Sequence, residues 1–274
     1  MRFFSRKPNF LSFMARQKGI IKLEGTIGDV SFYKSKDGYL AREKGGVDAD
    51  RIKNDPAFQR TRENGSEFGR AGKAGRVIRN AFRLLIQNAS DSKVTSRLTR
   101  EILRVIKTDV TNARGERQVT AGDLNILNGF DFNVEGKLSS TLYAQYDPVV
   151  DRAAGSMGVQ IPEFIPGNTV AFPSGATHFK FLVAAAEIDF ENESFLFNQV
   201  ASPEIELGPQ TEAASDFNVP TTANSELDMF LVLGLDFLQE VNGIMYPLKS
   251  GSYNPLTIIA IDEAPEVADP APDA

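Results

Sequence analysis

The densest chemistry in this chain is cationic. Lys73, Arg76, Arg79 and Arg83 recur at helical spacing, and Lys93, Arg97, Arg100, Arg104 and Lys107 follow at intervals of four, three, four and three residues. Such rows on one helix face can hold phosphates through charge-assisted, bidentate hydrogen bonds, or meet the carboxylates of another protein surface. A glycine-rich segment, Gly69-Arg-Ala-Gly72-Lys-Ala-Gly75, runs into the first row. Glycines ahead of a lysine invite a phosphate-loop reading. However, Glu67 stands where such a loop needs glycine, Ala74 where it needs Ser or Thr, and no apolar strand leads in.

Gly65, Gly69, Gly72 and Gly75 keep two readings. The favoured one is a close-packing helix face, because a residue without Cβ lets another backbone approach. The second joins the glycines to the arginines as a surface for a nucleic-acid backbone, although no Phe or Tyr interleaves with the cations to stack on bases. A solvated face, or one covered by acidic protein surface, is the plainer account of the rows themselves.

Other chemistry is thin. There is no cysteine and a single histidine, His178, so thiolate catalysis, a Cys-based metal site and a two-histidine metal site have no basis. His178 is expected in or beside a β core. Glu187, Asp189, Glu191 and Glu193 alternate, but not at the spacing of a calcium-binding loop; solvated acids opposite Ile188 and Phe190 are expected. No catalytic, cofactor-binding or metal-ligating residue is assigned, no small-molecule substrate is evident, and the protein is expected not to be an enzyme.

These cations need helices to align them. Asn54-Asp55-Pro56 is a helix start, and the spacing predicts a helix from about Pro56 to Gln87 with Ala74, Val77, Ile78, Ala81 and Leu85 on its core side. After Asn88-Ala-Ser-Asp91, a second helix carries Val94, Leu98, Ile102, Val105 and Ile106, so the two form a basic helical hairpin. Upstream, Val30, Phe32 and Leu40 flank Asp37-Gly38 as a β-hairpin, and Gly45-Gly46 begins a linker.

Beyond residue 117 the apolar period shifts to two, with candidate strands over 130–134, 138–146, 157–161, 169–172, 178–184, 188–190, 195–200, 204–207, 229–240, 244–248 and 256–261. Asn242-Gly243 is the clearest hairpin turn. The fold class is therefore α+β: an N-terminal β-hairpin and basic helical hairpin, followed by an antiparallel β-sandwich or jelly-roll-like domain.

Charge divides along the same line. Residues 1–120 hold 26 of the 30 Lys and Arg against 13 acids, while 121–274 hold four against 23. The domains expected are a flexible extension over 1–13, a basic region over 14–120, an acidic sandwich over 121–262 and a disordered acidic tail over 263–274. No window approaches the roughly 20 apolar residues of a membrane-spanning helix, and the first residues lack the apolar run and cleavage site of a secretory signal. A cytoplasmic place, or one in an assembled particle, is expected, with a signal-independent route to the surface left open.

Several segments together carry a resemblance: Phe32-Tyr-Lys-Ser-Lys-Asp-Gly-Tyr-Leu-Ala-Arg-Glu-Lys-Gly-Gly46, Asn54-Asp-Pro-Ala-Phe-Gln-Arg-Thr-Arg-Glu-Asn64, Glu67-Phe-Gly-Arg-Ala-Gly-Lys-Ala-Gly75 and Pro173-Ser-Gly-Ala-Thr-His-Phe179. With these, the chain resembles a family of uncharacterised proteins of Bacteroidota across most of residues 14–262. The resemblance implies no activity, cofactor or site residue. It begins at Met14, which makes that residue an alternative start to Met1.

The charge division predicts a structural, self-assembling protein whose basic N-terminal and acidic C-terminal surfaces meet between copies, as in a particle, tail or filament subunit. Its partner is then itself, as a homo-oligomer with head-to-tail contacts. The alternative is a nucleic-acid-binding protein that contacts phosphates through the arginine rows.

Overall fold

The computed structural model describes residues 14–43, 47–248 and 253–265. The expected extension 1–13, the Gly45-Gly46 pair and the tail from 266 onward lie outside the described residues. The chain divides into two units, Met1–Arg62 and Glu63–Ala274.

In the first unit, strands β1 (Met14–Arg16), β2 (Gly25–Ile27), β3 (Val30–Ser35) and β4 (Gly38–Glu43) form an antiparallel sheet in the order β1-β4-β3-β2. The expected hairpin is β3–β4, with Lys36 and Asp37 in the turn and Gly38 at φ 107°, where an L side chain is strained. Residues directly opposite in an antiparallel ladder share a face. Phe32 lies opposite Gly25 and Ala41, Val30 opposite Ile27 and Glu43, Lys34 opposite Tyr39, and Ala15 opposite Ala41. One face thus carries Ala15, Ile27, Val30, Phe32, Tyr39 and Ala41, with Lys34 and Glu43 at opposite ends.

The stretch expected as linker holds helix α1 (Ala49–Asn54) and a 3-10 turn over Pro56–Phe58. Each has its own cap. Asp48 accepts from the Asp50 amide at 2.8 Å, and Asp55 from the Ala57 amide at 2.9 Å. Leu40, 8% exposed, is the one buried side chain among the described residues of this unit.

Helix α2 (Gln59–Ala81) runs from this unit into the second, followed by α3 (Arg83–Ile86) and α4 (Val94–Thr108). Phe82, at φ −96° and ψ 18°, interrupts what the spacing predicts as one helix. The apolar sides are those expected: Ala74, Val77, Ile78, Ala81 and Leu85, then Val94, Leu98, Ile102, Val105 and Ile106, are all buried.

A short helix α5 (Leu138–Thr141) precedes β5 (Asp147–Asp151) and β6 (Ser156–Ile161). Helix α6 (Pro166–Thr169) precedes β7 (His178–Asp189), β8 (Ser194–Ala201), β9 (Ile205–Glu206), β10 (Ser215–Pro220), β11 (Asp228–Val241), β12 (Ile244–Pro247) and β13 (Leu256–Asp262). Strands expected over 138–146 and 169–172 are instead helical turns joined by a bridge between Leu142 and Val170. The 130–134 segment keeps only isolated ladder bonds, including Phe132 N to Leu256 O at 2.8 Å. The expected Asn242-Gly243 turn forms, with both residues at positive φ.

The second unit stacks three layers. β7 and β11 pair over eleven positions at the centre of a six-stranded antiparallel sheet. Their side chains alternate between two cores. Phe179, Phe181, Val183 and Ala185 of β7, with Met229, Leu231, Leu233, Leu235 and Phe237 of β11, pack against Met157, Val159, Ile161 and Val219 of the three-stranded sheet β10-β6-β5. Ala184, Ala186, Ile188, Phe230 and Val232 face the other way, into one core with α2, α3 and α4. An irregularity in β13 opposite Leu231 and Val232 turns Ile259 to the first core while Ile258 and Leu256 stay in the second.

The helices therefore do not belong to a basic domain ending near residue 120. They form the outer layer of the acidic sheet, because alternate side chains of β7 and β11 need cover that the three-stranded sheet does not reach. The division of the chain falls at residues 62 and 63. Nor is the start of the expected tail loose: Glu263 accepts from the Leu124 amide, and the Ala264 amide donates to Asp228, both at 2.9 Å. Among the described residues no helix is long and apolar enough to cross a membrane.

Candidate interaction surface

Of the four glycines expected to make a close-packing face, one does. A Cβ on Gly75 would sit 3.3 Å from Ile102 Cδ1 and 3.7 Å from Thr99 Oγ1, so α4 crosses α2 there. Around Gly65, Gly69 and Gly72 nothing lies within 4 Å of that position. These three are on the outer side of α2, where nothing among the described residues needs the missing Cβ. Tight backbone approaches occur elsewhere, among them Gly122 beside the Val105 carbonyl and Gly158 beside the Phe217 carbonyl. A lone glycine in a loop or strand gave no sequence pattern to reveal them.

The cation rows are divided by their partners. On α2, Lys73 and Arg76 both reach Glu193, Lys73 at 3.8 Å. Glu193 sits in the β7–β8 turn at φ 52°, and that turn is built by Asp189, whose carboxylate accepts from the Glu191 and Asn192 amides and from Asn192 Nδ2. The alternating acids are thus a turn with its own hydrogen bonds. Glu187 leaves the pattern altogether: it is buried and accepts from Thr222 N at 2.8 Å and Thr222 Oγ1 at 3.0 Å. Arg79 lies back over Gly75 with Nη1 buried and unpartnered. Burial, and then the charge of Arg76, lowers its pKa.

On α4, Arg97 is an internal clamp rather than a surface contact. It pairs with Asp91, donates to the Asp131 carbonyl at 2.8 Å and the Phe132 carbonyl at 3.1 Å, and lies over the Phe130 ring at 5.0 Å. Burial works against the Asp91 charge, but the Lys93 and Val134 amides together with Arg97 outweigh it and hold the carboxyl below its usual range. Arg97 is therefore withdrawn from the expected polyanion face. Arg100 and Arg104 close on opposite oxygens of Glu101, whose carboxyl they likewise hold low against the effect of burial. Arg83, Lys93 and Lys107 are exposed and have no ion-pair partner among the described residues. Of the nine cations that the spacing aligns, seven stay exposed, four of them in surface ion pairs; Arg79 and Arg97 are partly buried.

Two of the four basic residues in the acidic half are also committed internally. Arg152 in the β5–β6 turn pairs with Asp262 at 2.6 Å and donates to the carbonyls of Ser225, Leu227, Asp262 and Glu263. Lys180 pairs with Glu204 at 2.6 Å. At one site acids gather without a cation. A cleft of about 700 Å³ between the β7–β8 turn, residues 120–123 and residues 226–228 is lined by Asp123, Asp189, Glu191, Glu226, Asp228 and Glu263, with no Lys or Arg. His178, at the start of β7, is partly buried and meets Thr177 Oγ1 at 3.0 Å. Among the described residues no group of three or more potential ligands is gathered as a metal site would need.

Comparison with protein-family models, with curated proteins and with solved structures returned no match.

Proposed function

We propose that this is a non-enzymatic structural protein that assembles with copies of itself, its basic surfaces meeting the acidic surface of a neighbour. The observation that carries the reading is the first unit. The described residues of this unit form a sheet and a short helix with one buried side chain. A sheet of this size cannot offset its chain entropy without burying a hydrophobic face. Such a unit is built to be covered. It also carries 14 Lys and Arg against 7 acids, whereas residues 63–274 carry 16 against 29, so the cover favoured by charge is acidic.

The test is the oligomeric state of the full chain across a salt series. Light scattering should show concentration-dependent assembly that weakens between roughly 0.1 and 0.5 M salt, as exposed charges become screened. A monomer at every salt and protein concentration overturns the reading. The nucleic-acid alternative is supported by the exposed cations of both rows, among which Arg83, Lys93 and Lys107 have no ion-pair partner among the described residues. Protein that purifies with nucleic acid, and loses it on charge reversal of those three, favours the alternative.

A further inference from the structure

The first-unit sheet has an uneven pair of faces. Tyr33 and Leu40 share the one on which Leu40 is buried, and Arg42 lies over the Tyr33 ring at 5.4 Å. The other face, set by the register described above, holds the apolar side chains Ile27, Val30, Phe32 and Tyr39, flanked by Ala15 and Ala41. Ile27 is 64% exposed and Val30 37%, while Phe32, Tyr39 and Ala41 are partly buried. An apolar sheet face left wet is an association surface. Its charges say what fits. Lys34 stands at the turn end of β3 with its Nζ 5.6 Å from the Tyr39 ring, Lys22 Nζ lies 5.8 Å from the same ring, and Glu43 stands at the far end of β4, beside Val30. Four residues of strand separate the two rows, about 13 Å, too far for Lys34 and Glu43 to pair within one copy.

Resting on the self-assembly reading, we infer that this face packs against the same face of a second copy about a two-fold axis. An axis lying in the interface and crossing the strands sets each strand over its counterpart running the opposite way. The Lys34–Tyr39 row then meets the second copy's Val30–Glu43 row, which forms the Lys34–Glu43 pair twice. Phe32 and Ala41, in the middle row, lie at the axis. The arrangement is self-complementary in both apolarity and charge, as an isologous contact requires. Four strands at about 4.8 Å by five residues at about 3.3 Å cover on the order of 300 Å² per copy. That is well below the roughly 800 Å² per partner of a stable complex, so the contact acts together with the charge-driven one and gains from it by avidity.

The chain has no cysteine, which makes single-cysteine cross-linking clean. Ala41→Cys, treated with a short bis-maleimide, should give a product that stops at two copies, whereas Ser31→Cys, on the other face, should give at least tenfold less. Charge reversal supplies an independent arm: Lys34→Glu and Glu43→Lys alone should each weaken self-association about fivefold, and together restore it to within about twofold. Assembly that persists while Ala41→Cys fails to cross-link and the double reversal fails to rescue overturns this inference and leaves the self-assembly reading standing. A chain that is monomeric under all conditions removes both.

Discussion

In the second unit Phe82, Phe132, Phe179, Phe181, Phe230 and Phe237 are each under 2% exposed, while among the described residues of the first the best-covered side chain is Leu40 at 8%. The second unit spends its apolar residues on two cores either side of one sheet. The first spends them on a surface. Both are antiparallel sheets with well-defined register, so regular strand pairing alone does not show whether a unit is complete. What separates them is whether alternate side chains find a second layer.

The largest effect that could break this contrast lies in the core. Phe230→Ala should cost the second unit about 3–5 kcal/mol, whereas Leu40→Ala should leave the main denaturation transition unmoved. Urea unfolding followed by circular dichroism reads both; equal losses would mean that the two units fold as one. Next is the Arg97 clamp. Arg97→Met strands a nearly buried Asp91 and two carbonyls, with an expected loss of about 2–3 kcal/mol, visible as a drop in melting temperature that Arg83→Met does not reproduce.

A pH effect follows from Asp109. Burial opposes its charge, but the amides of Asn112, Gln118 and Thr111 and the Asn112 side chain outweigh it and bring its pKa to about 2. The folded value lies below the unfolded one. Its contribution is therefore complete above about pH 4 and is lost as pH falls toward 2. Asp109→Asn should flatten that part of a pH–stability curve. Asp228 has the opposite sign: burial raises its pKa, so its charge costs stability at neutral pH and acid relieves that cost.

The smallest expected effect sharpens the comparison most. Ala at Gly65, Gly69 or Gly72 should stabilise the isolated chain by about 0.5–1 kcal/mol each, since those positions are open and helical. Gly75→Ala should gain nothing, because Ile102 is already there. If Gly72→Ala stabilises the fold yet weakens assembly in light scattering, the outer side of α2 is covered by a neighbour.

Much of this was legible. Both helical apolar sides, the long strands and the Asn242-Gly243 turn follow from period and turn chemistry, which are local properties. The domain boundary was not, because charge tracks position in sequence, while layering depends on which core the even-numbered residues of β7 join. Ala184 and Ala186 look alike whether they face helices or water. Helical spacing aligns the cations in rows but does not reveal the partner of each. Arg97 becomes internal only because residues 130–132 fold onto α4, a contact 34 residues away along the chain. β5 and β10 carry no clear sequence signal for a related reason: both flank β6 in the smaller sheet, and β5 has no buried side chain to set a period.

One consequence concerns synthesis. β13 seals the helix-side core with Leu256 and Ile258, and Arg152 holds its end through Asp262 and the Glu263 carbonyl. Until those residues leave the ribosome, Phe230 and Val232 have an unpaired edge beside them and α4 has an unfilled gap beneath it. The large unit therefore matures late, after nearly all of it has been made, and a nascent chain stalled before residue 256 presents a sticky, half-closed sheet of the kind that chaperones bind.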